Sequence, residues 1–283
     1  MRQSLGVDGL AEAVAARYGV PGEKVHAGPE GGVNTVYFLG DDLVLRVPRT
    51  RRAADGLFTE AAIIPAARRG GVLTPAVAEF DATVPYLLTE RVRGVDAQAH
   101  AVLNPELFEQ VGRELAKLHR IAPPPGLPAD GSPPDPWALV SDLRAEGRLD
   151  QDGAEWLAGW FDRLAPRVPI APLRVPVHGD VAPQNIMVAG GALAGLVDWG
   201  DAMLADPAVD FAKLPLTVVP AALRGYRGIN MEPRVLWHHL VWALARLRDP
   251  EPSAARHWSA PPASRLLGLL RFFATTAAWR DLV

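Results

Sequence analysis

Three polar residues in the second half of the chain have the types and spacing to do chemistry. Asp180 and Asn185 stand five positions apart in Val177-His178-Gly179-Asp180-Val181-Ala182-Pro183-Gln184-Asn185, and Asp198 follows in Val197-Asp198-Trp199-Gly200. A carboxylate within reach of a hydroxyl can take its proton during attack on an electrophile. An amide oxygen and a second carboxylate are hard donors of the kind Mg²⁺ prefers. That ion takes only one or two protein ligands when phosphate oxygens and water supply the rest. A spacing of five puts Asp180 and Asn185 on one tight loop, from which the carboxylate and the amide can face different partners.

Protein kinases carry H-R-D-x-x-x-x-N and then D-F-G, with the first aspartate as base and the asparagine and second aspartate on metal. The spacing here is the same, with Gly179 in place of the arginine and Trp199 in place of the phenylalanine. Taken together, His178-Gly179-Asp180, Asn185, Asp198-Trp199, and then Asp206-Pro207 with Asp210 resemble the aminoglycoside phosphotransferase family, which includes macrolide phosphotransferases and related small-molecule kinases. The resemblance extends over most of the chain. It implies an α+β, bilobal protein-kinase-like fold with a β-rich N-terminal lobe and a mainly helical C-terminal lobe. It also implies Mg²⁺, ATP or GTP as co-substrate, Asp180 as catalytic base, and Asn185 and Asp198 as metal ligands. Asp210 resembles the family's structural acid behind the loop and reads equally as a helix N-cap before Phe211. No A-P-E follows, which points away from control by activation-loop phosphorylation.

These residues need a scaffold. Ile186–Val188 and Leu193–Val197 read as a hairpin across Ala189-Gly190-Gly191, delivering Asp198 beside the loop. In the first third, Val36–Leu39 and Leu43–Val47 form another hairpin across Gly40-Asp41-Asp42. Gly31-Gly32-Val33-Asn34-Thr35 precedes it and resembles the family's glycine-containing loop, with Gly31, Gly32, Asn34 and Thr35 near phosphate. Arg46 stands where kinases carry a strand lysine, and Glu60 where a helix glutamate holds it. Leu45-Arg46-Val47-Pro48-Arg49 resembles the arginine-containing version of macrolide-type relatives, and arginine remains a charged, bidentate phosphate ligand. The pattern predicts a helix over 57–69 after Asp55-Gly56, kinked at Pro65, and a strand over 84–92. Glu90 and Val92 resemble the hinge whose backbone reads the purine edge. Asn104-Pro105 opens a helix through Leu107, Phe108, Val111, Leu115 and Leu118, with His119 packing against the catalytic loop. Seven prolines between Pro123 and Pro136 make a surface crossing. Trp137–Arg163, and Glu232 to the carboxyl end, read as helical. The lobes divide as 1–93 for nucleotide and 94–283 for catalysis and acceptor.

Composition removes other classes. With no cysteine, thiolate chemistry and disulfides are excluded, and a net charge of −3 gives no basic footprint for nucleic acid. No basic-flanked leader or run of about 18 apolar residues is present, so a cytoplasmic protein without membrane partners is expected. His238-His239 on an apolar helix reads as packing. The resemblance implies a small hydroxylated acceptor, faced by the helical insertion that follows the proline-rich crossing. Five acids there, Asp142, Glu146, Asp150, Asp152 and Glu155, against Arg144 and Arg148 read by charge alone as a solvated helix face, and taken with the resemblance they favour a cationic acceptor, with Asp150, Asp152, Glu155 and Asp201 as candidate contacts. A neutral macrolide, a metabolite acceptor, and a nucleotide-binding pseudokinase remain open. So do ATP against GTP and the oligomeric state.

Overall fold

A computed structural model describes residues 7–28, 33–98, 104–129, 135–169, 173–228, 231–249 and 262–275. Helix α1 (Val7–Arg17) leads into β1 (Val25–Ala27), β2 (Asn34–Leu39) and β3 (Leu43–Pro48). With β4 (Val77–Asp81) and β5 (Tyr86–Glu90) these make an antiparallel sheet in the order β1-β2-β3-β5-β4. The alternation of β2 and β3 puts Tyr37, Leu39, Leu45 and Val47 on one face, where they bury Val14 and Ala15 of α1 together with Tyr86 and Leu88.

Helix α2 (Arg51–Arg69) starts at Arg51 rather than at Leu57, and Asp55-Gly56 lies inside it. Thr50 caps it, its hydroxyl accepting from the Ala53 N–H at 3.2 Å. The helix continues through Pro65. A glycine inside a helix costs about 1 kcal/mol. Burial of Leu57, Ile63, Ile64 and Ala67 outweighs that here, at about 1.5–3 kcal/mol for each large aliphatic side chain. The expected strand over 84–92 is shorter, because the Asp81 carboxylate turns the chain by accepting from the N–H groups of Thr83 and Val84.

The second lobe follows with β6 (Val95–Asp96), α3 (Pro105–Leu118), α4 (Pro136–Ala145), α5 (Gln151–Leu164) and β7 (Val175–Val177). After them come β8 (Ile186–Ala189), β9 (Ala192–Leu196), β10 (Met203–Ala205), α6 (Val219–Tyr226), α7 (Glu232–Ala245) and α8 (Pro262–Thr275). β8 and β9 are joined through Gly190 and Gly191, both at positive φ, and β6 pairs with β8. Asn104 caps α3, as its sequence predicts. Its apolar face is fully buried, and it crosses α6 so closely that a Cβ on Gly112 would lie 1.9 Å from the Ala222 carbonyl oxygen. The expected helix over 137–163 breaks into α4 and α5, with Gly147 at φ +71° and Asp150 capping α5 through the Gly153 N–H. The proline-rich crossing runs beside β10, where the Leu204 N–H donates to the Pro128 carbonyl at 2.7 Å, and residues 130–134 lie outside the described ones. The terminal helical region is described as α7 and α8, and 250–261 and 276–283 lie outside. One large core joins α2 to α3, α5, α6, α7 and Trp199, so both lobes rest on a common base.

Candidate active site

The loop that carries Asp180 leaves β7 at His178 and turns at Gly179, whose φ is +79°. Only glycine fits there, because a Cβ would lie 2.2 Å from the Asp201 carbonyl oxygen. Asp210, fully buried, holds the loop from behind. Its Oδ1 accepts from the Gly179 N–H at 2.7 Å, and its Oδ2 accepts from the His178 N–H at 2.9 Å and meets His119 Nε2 at 2.9 Å. Burial would raise this carboxyl, but His119 and the backbone donors outweigh it and hold Asp210 below its usual range. Asp210 therefore anchors the loop. The N-cap of its short 3₁₀ turn, Pro207–Phe211, is Asp206, which accepts from the Ala208 N–H. His119, at the end of α3, packs where the sequence puts it. Burial lowers His178. Its partners fit a neutral ring, Nε2 donating to the Val197 carbonyl and Nδ1 accepting from the Asp180 N–H.

Asp180 emerges from this support with both carboxylate oxygens engaged. Asn185 Nδ2 donates to its Oδ2 at 2.8 Å and to its carbonyl at 2.9 Å. Lys213 Nζ donates to Oδ1 at 2.8 Å. With the Asn185 nitrogen committed to Asp180, its amide oxygen is the atom left for a cation. Asp198 sits at φ +64°, a left-handed conformation rare outside glycine, with its carboxylate half-exposed. The next residue, Trp199, is fully buried, its ring 4.4 Å from that of His178. The pair ties the two motifs together.

Across the cleft, Arg46 on β3 reaches both Glu60 on α2 and Asp198, the latter at 3.2 Å. Glu60 is fully buried and also accepts from the Trp199 backbone N–H. Burial pushes its carboxyl up to about 7 against the pull of Arg46, and the nearby Asp198 charge adds to the rise. The two oxygen donors, Asn185 and Asp198, beside a forked cation fit a Mg²⁺–nucleotide pair.

Other predicted residues fall in different places. Gly31 and Gly32 lie outside the described residues. Asn34 is buried at the start of β2, and the Thr35 hydroxyl accepts from Arg49 Nε at 3.2 Å. At the hinge, the Glu90 N–H donates to the Ala76 carbonyl, and its carboxylate turns back to the Ala76 N–H and toward Arg68. Val92 lines, with Leu73, Thr74 and Ala194, a cavity of about 580 Å³ behind the hinge that contains none of the catalytic-loop residues. Among the acids expected to attract an acceptor, Asp142 and Glu146 are paired with Arg248, Asp150 caps α5, and Glu155 accepts from Gln151. Asp152 is exposed, and Asp201 lies 3.7 Å from Nζ of Lys213, the lysine that also pairs with Asp180. His239 is buried as packing, and His238 sits 3.6 Å from Asp206. Sequence reasoning missed Lys213 and Arg248. Neither has a fixed spacing to the groups it meets, 33 and about 100 positions away, and the fold alone brings them in.

Comparison with known proteins agrees with this geometry. The sequence model of the phosphotransferase enzyme family, APH, matches residues 24–238. A viomycin phosphotransferase of Streptomyces vinaceus is 28% identical over 200 residues, spanning 62% of this chain and 68% of that protein. The GDP complex of an aminoglycoside 2′-phosphotransferase-IIIa superposes with a TM-score of 0.65 at 19% identity, over 88% of this chain and 93% of that one. A choline/ethanolamine kinase family protein from Mesorhizobium loti gives 0.64 at 19% identity, over 97% and 96%. At these identities the solved structures speak for the bilobal kinase-like fold. The family match, covering most of the chain and both halves of the cleft, shows that this protein belongs to the phosphotransferase enzyme family.

Proposed function

We propose that the protein transfers the γ-phosphate of ATP or GTP to a hydroxyl of a small cationic molecule, with antibiotic inactivation as the favoured role. The observation that carries this reading is the convergence of Asp180, Asn185 and Asp198 on one side of a cleft with the Arg46–Glu60 pair on the other. Residues 1–93 would hold nucleotide, and 94–283 would supply the chemistry and the acceptor site.

Asp180 orients the acceptor hydroxyl and takes its proton. The acceptor oxygen bonds to the γ-phosphorus, the bond from that phosphorus to the bridging oxygen breaks, and its electron pair stays on the nucleoside diphosphate. Asn185, through its amide oxygen, and Asp198, through its carboxylate, would hold Mg²⁺, which when bound offsets charge on the phosphate oxygens. Arg46 grips phosphate while Glu60 keeps its fork aimed. The carbonyl of Glu90 and the backbone of Val92 are the purine contacts that remain, with Gly31, Gly32, Asn34 and Thr35 over the phosphates.

A cationic acceptor is supported by Asp201 beside the base and by exposed Asp152 and Glu155, and by the similarity to a viomycin phosphotransferase. The structural likeness to a choline/ethanolamine kinase family protein supports a second reading, a metabolic kinase for an amino alcohol. Among the described residues no helix is long and apolar enough to cross a membrane. The test is nucleoside diphosphate release from ATP and from GTP with Mg²⁺, across viomycin, an aminoglycoside, a macrolide, choline and ethanolamine. Stimulation by a cationic compound is expected. Stimulation by the macrolide alone would overturn the charge assignment, and nucleotide binding without consumption would make the protein a pseudokinase.

A further inference from the structure

We propose that Lys213 is a positioning residue of the catalytic centre, its ammonium fixing the Asp180 carboxylate toward the acceptor hydroxyl; this rests on the reading of Asp180 as base. A carboxylate can turn about its Cβ–Cγ bond, and Asn185 grips only Oδ2. Lys213 Nζ, 2.8 Å from Oδ1, closes the second side, so that each oxygen has one donor and the plane is set. Lone pairs on both oxygens remain for an incoming hydroxyl.

The backbone explains how a lysine 33 positions from the base is held there. Asp206 caps the Pro207–Phe211 turn and is itself held by Arg234 and approached by His238. From that turn Asp210 binds the loop's N–H groups, and Lys213, three residues on, binds its carboxylate. A single short segment thus holds the loop backbone and aims its functional group. Ordering a solvent-facing lysine costs rotamer entropy that an isolated exposed pair does not offset well. Lys213 is instead three-quarters buried between Asp180 and Asp201, the latter at 3.7 Å. Asp201 is a second carboxylate for the same ammonium.

The experiment measures hydrolysis of Mg²⁺-ATP and Mg²⁺-GTP with water as acceptor, in wild type, Lys213→Met, Lys213→Arg, Asp180→Asn and the Lys213→Met/Asp180→Asn double variant, with thermal melting as the check on folding. Misplacement by about 1 Å can cost about 10²-fold in rate, so Lys213→Met is expected to lower kcat by about 10- to 100-fold with nucleotide KM within about twofold. Lys213→Arg keeps a cation and retains more kcat than Lys213→Met. Acting through the base, Lys213→Met adds little once Asp180 is asparagine.

Several results overturn the proposal. These are an unchanged kcat in Lys213→Met, a lowered melting temperature with kcat intact, or the same fold loss in the Asp180→Asn background as in wild type. If neither nucleotide is consumed by wild type, or Asp180→Asn matches wild type, the parent reading fails and this one with it. If Asp180→Asn is impaired and Lys213→Met is not, only this inference fails.

Discussion

Asp210 and Glu60 are both fully buried carboxylates standing behind the cleft, one beneath the loop that carries Asp180 and one behind Arg46. Asp210 is held by two backbone N–H groups and a histidine, and its carboxyl is lowered. Glu60 is held by the side chain of Arg46 and one backbone N–H, and its carboxyl is raised to about 7. Backbone donors cannot leave, so the floor is fixed before substrate arrives. A guanidinium can turn, so on the proposed reading Arg46, which bridges Glu60 and Asp198 here, would exchange an aspartate for phosphate oxygens when nucleotide binds. On that reading the floor orients and the roof captures.

The largest effect expected from this contrast is at Asp210. Asp210→Ala leaves the His178 and Gly179 N–H groups buried without an acceptor, and breaking such a buried charged network costs about 3–5 kcal/mol. Urea unfolding measures it, and a loss under about 1 kcal/mol would mean that the loop is supported elsewhere. Next, Asp198→Ala should abolish Mg²⁺-dependent nucleotide binding. Calorimetry showing the wild-type affinity would return the Asp-Trp-Gly segment to a purely structural role.

Glu60 gives the third test. Its folded value of about 7 lies above the ordinary 4.5, so between those values Glu60 holds more proton in the native state than in the unfolded chain, and its own contribution to stability falls as pH rises through that window. His178 and His239, both lowered by burial, contribute in the opposite direction, so the test is the difference between two proteins. Glu60→Gln should gain stability relative to wild type as pH rises from 4.5 to 8. Melting curves with the same pH dependence in both proteins would remove Glu60 as a contributor.

The smallest effect is expected at the acceptor acids. Arg248 offsets one of the two charges of Asp142 and Glu146, Asp150 caps α5, and the exposed Asp152 and Glu155 are surface charges screened beyond about 8–10 Å at physiological salt. Neutralising Asp152 and Glu155 should raise the Michaelis constant of a cationic acceptor by about twofold at low salt and hardly at high salt. No change at low salt would leave acceptor recognition to Asp201 and its surroundings.

The floor was far more legible in the sequence than the roof. Asp180, Asn185 and Asp198 sit in short local motifs whose spacing carries the family resemblance that implies their roles, and β8–β9 announces itself through Gly190-Gly191. Arg46 and Glu60 could be paired only by analogy with kinases. The helix that carries Glu60 starts at Arg51, earlier than its local pattern suggests, because Asp55-Gly56 looks like a turn and only tertiary burial of Leu57, Ile63 and Ile64 offsets the glycine. Asp210 was legible as an acid but ambiguous in role, since a cap and a loop anchor have the same local signature. The acidic excess from Asp142 to Glu155 is smaller than the local sequence shows, because Arg248, about 100 positions away, pairs with Asp142 and Glu146. Lys213 was invisible for the same reason.

The central claim is that Asp180 is the base on a pre-set floor, and the most direct measurement is the kcat and nucleotide affinity of Asp180→Asn. General-base assistance is typically worth about 10²- to 10⁴-fold, so kcat should fall by that order while the dissociation constant for Mg²⁺-nucleotide stays within about twofold. An unchanged kcat on a transferred acceptor would contradict the account.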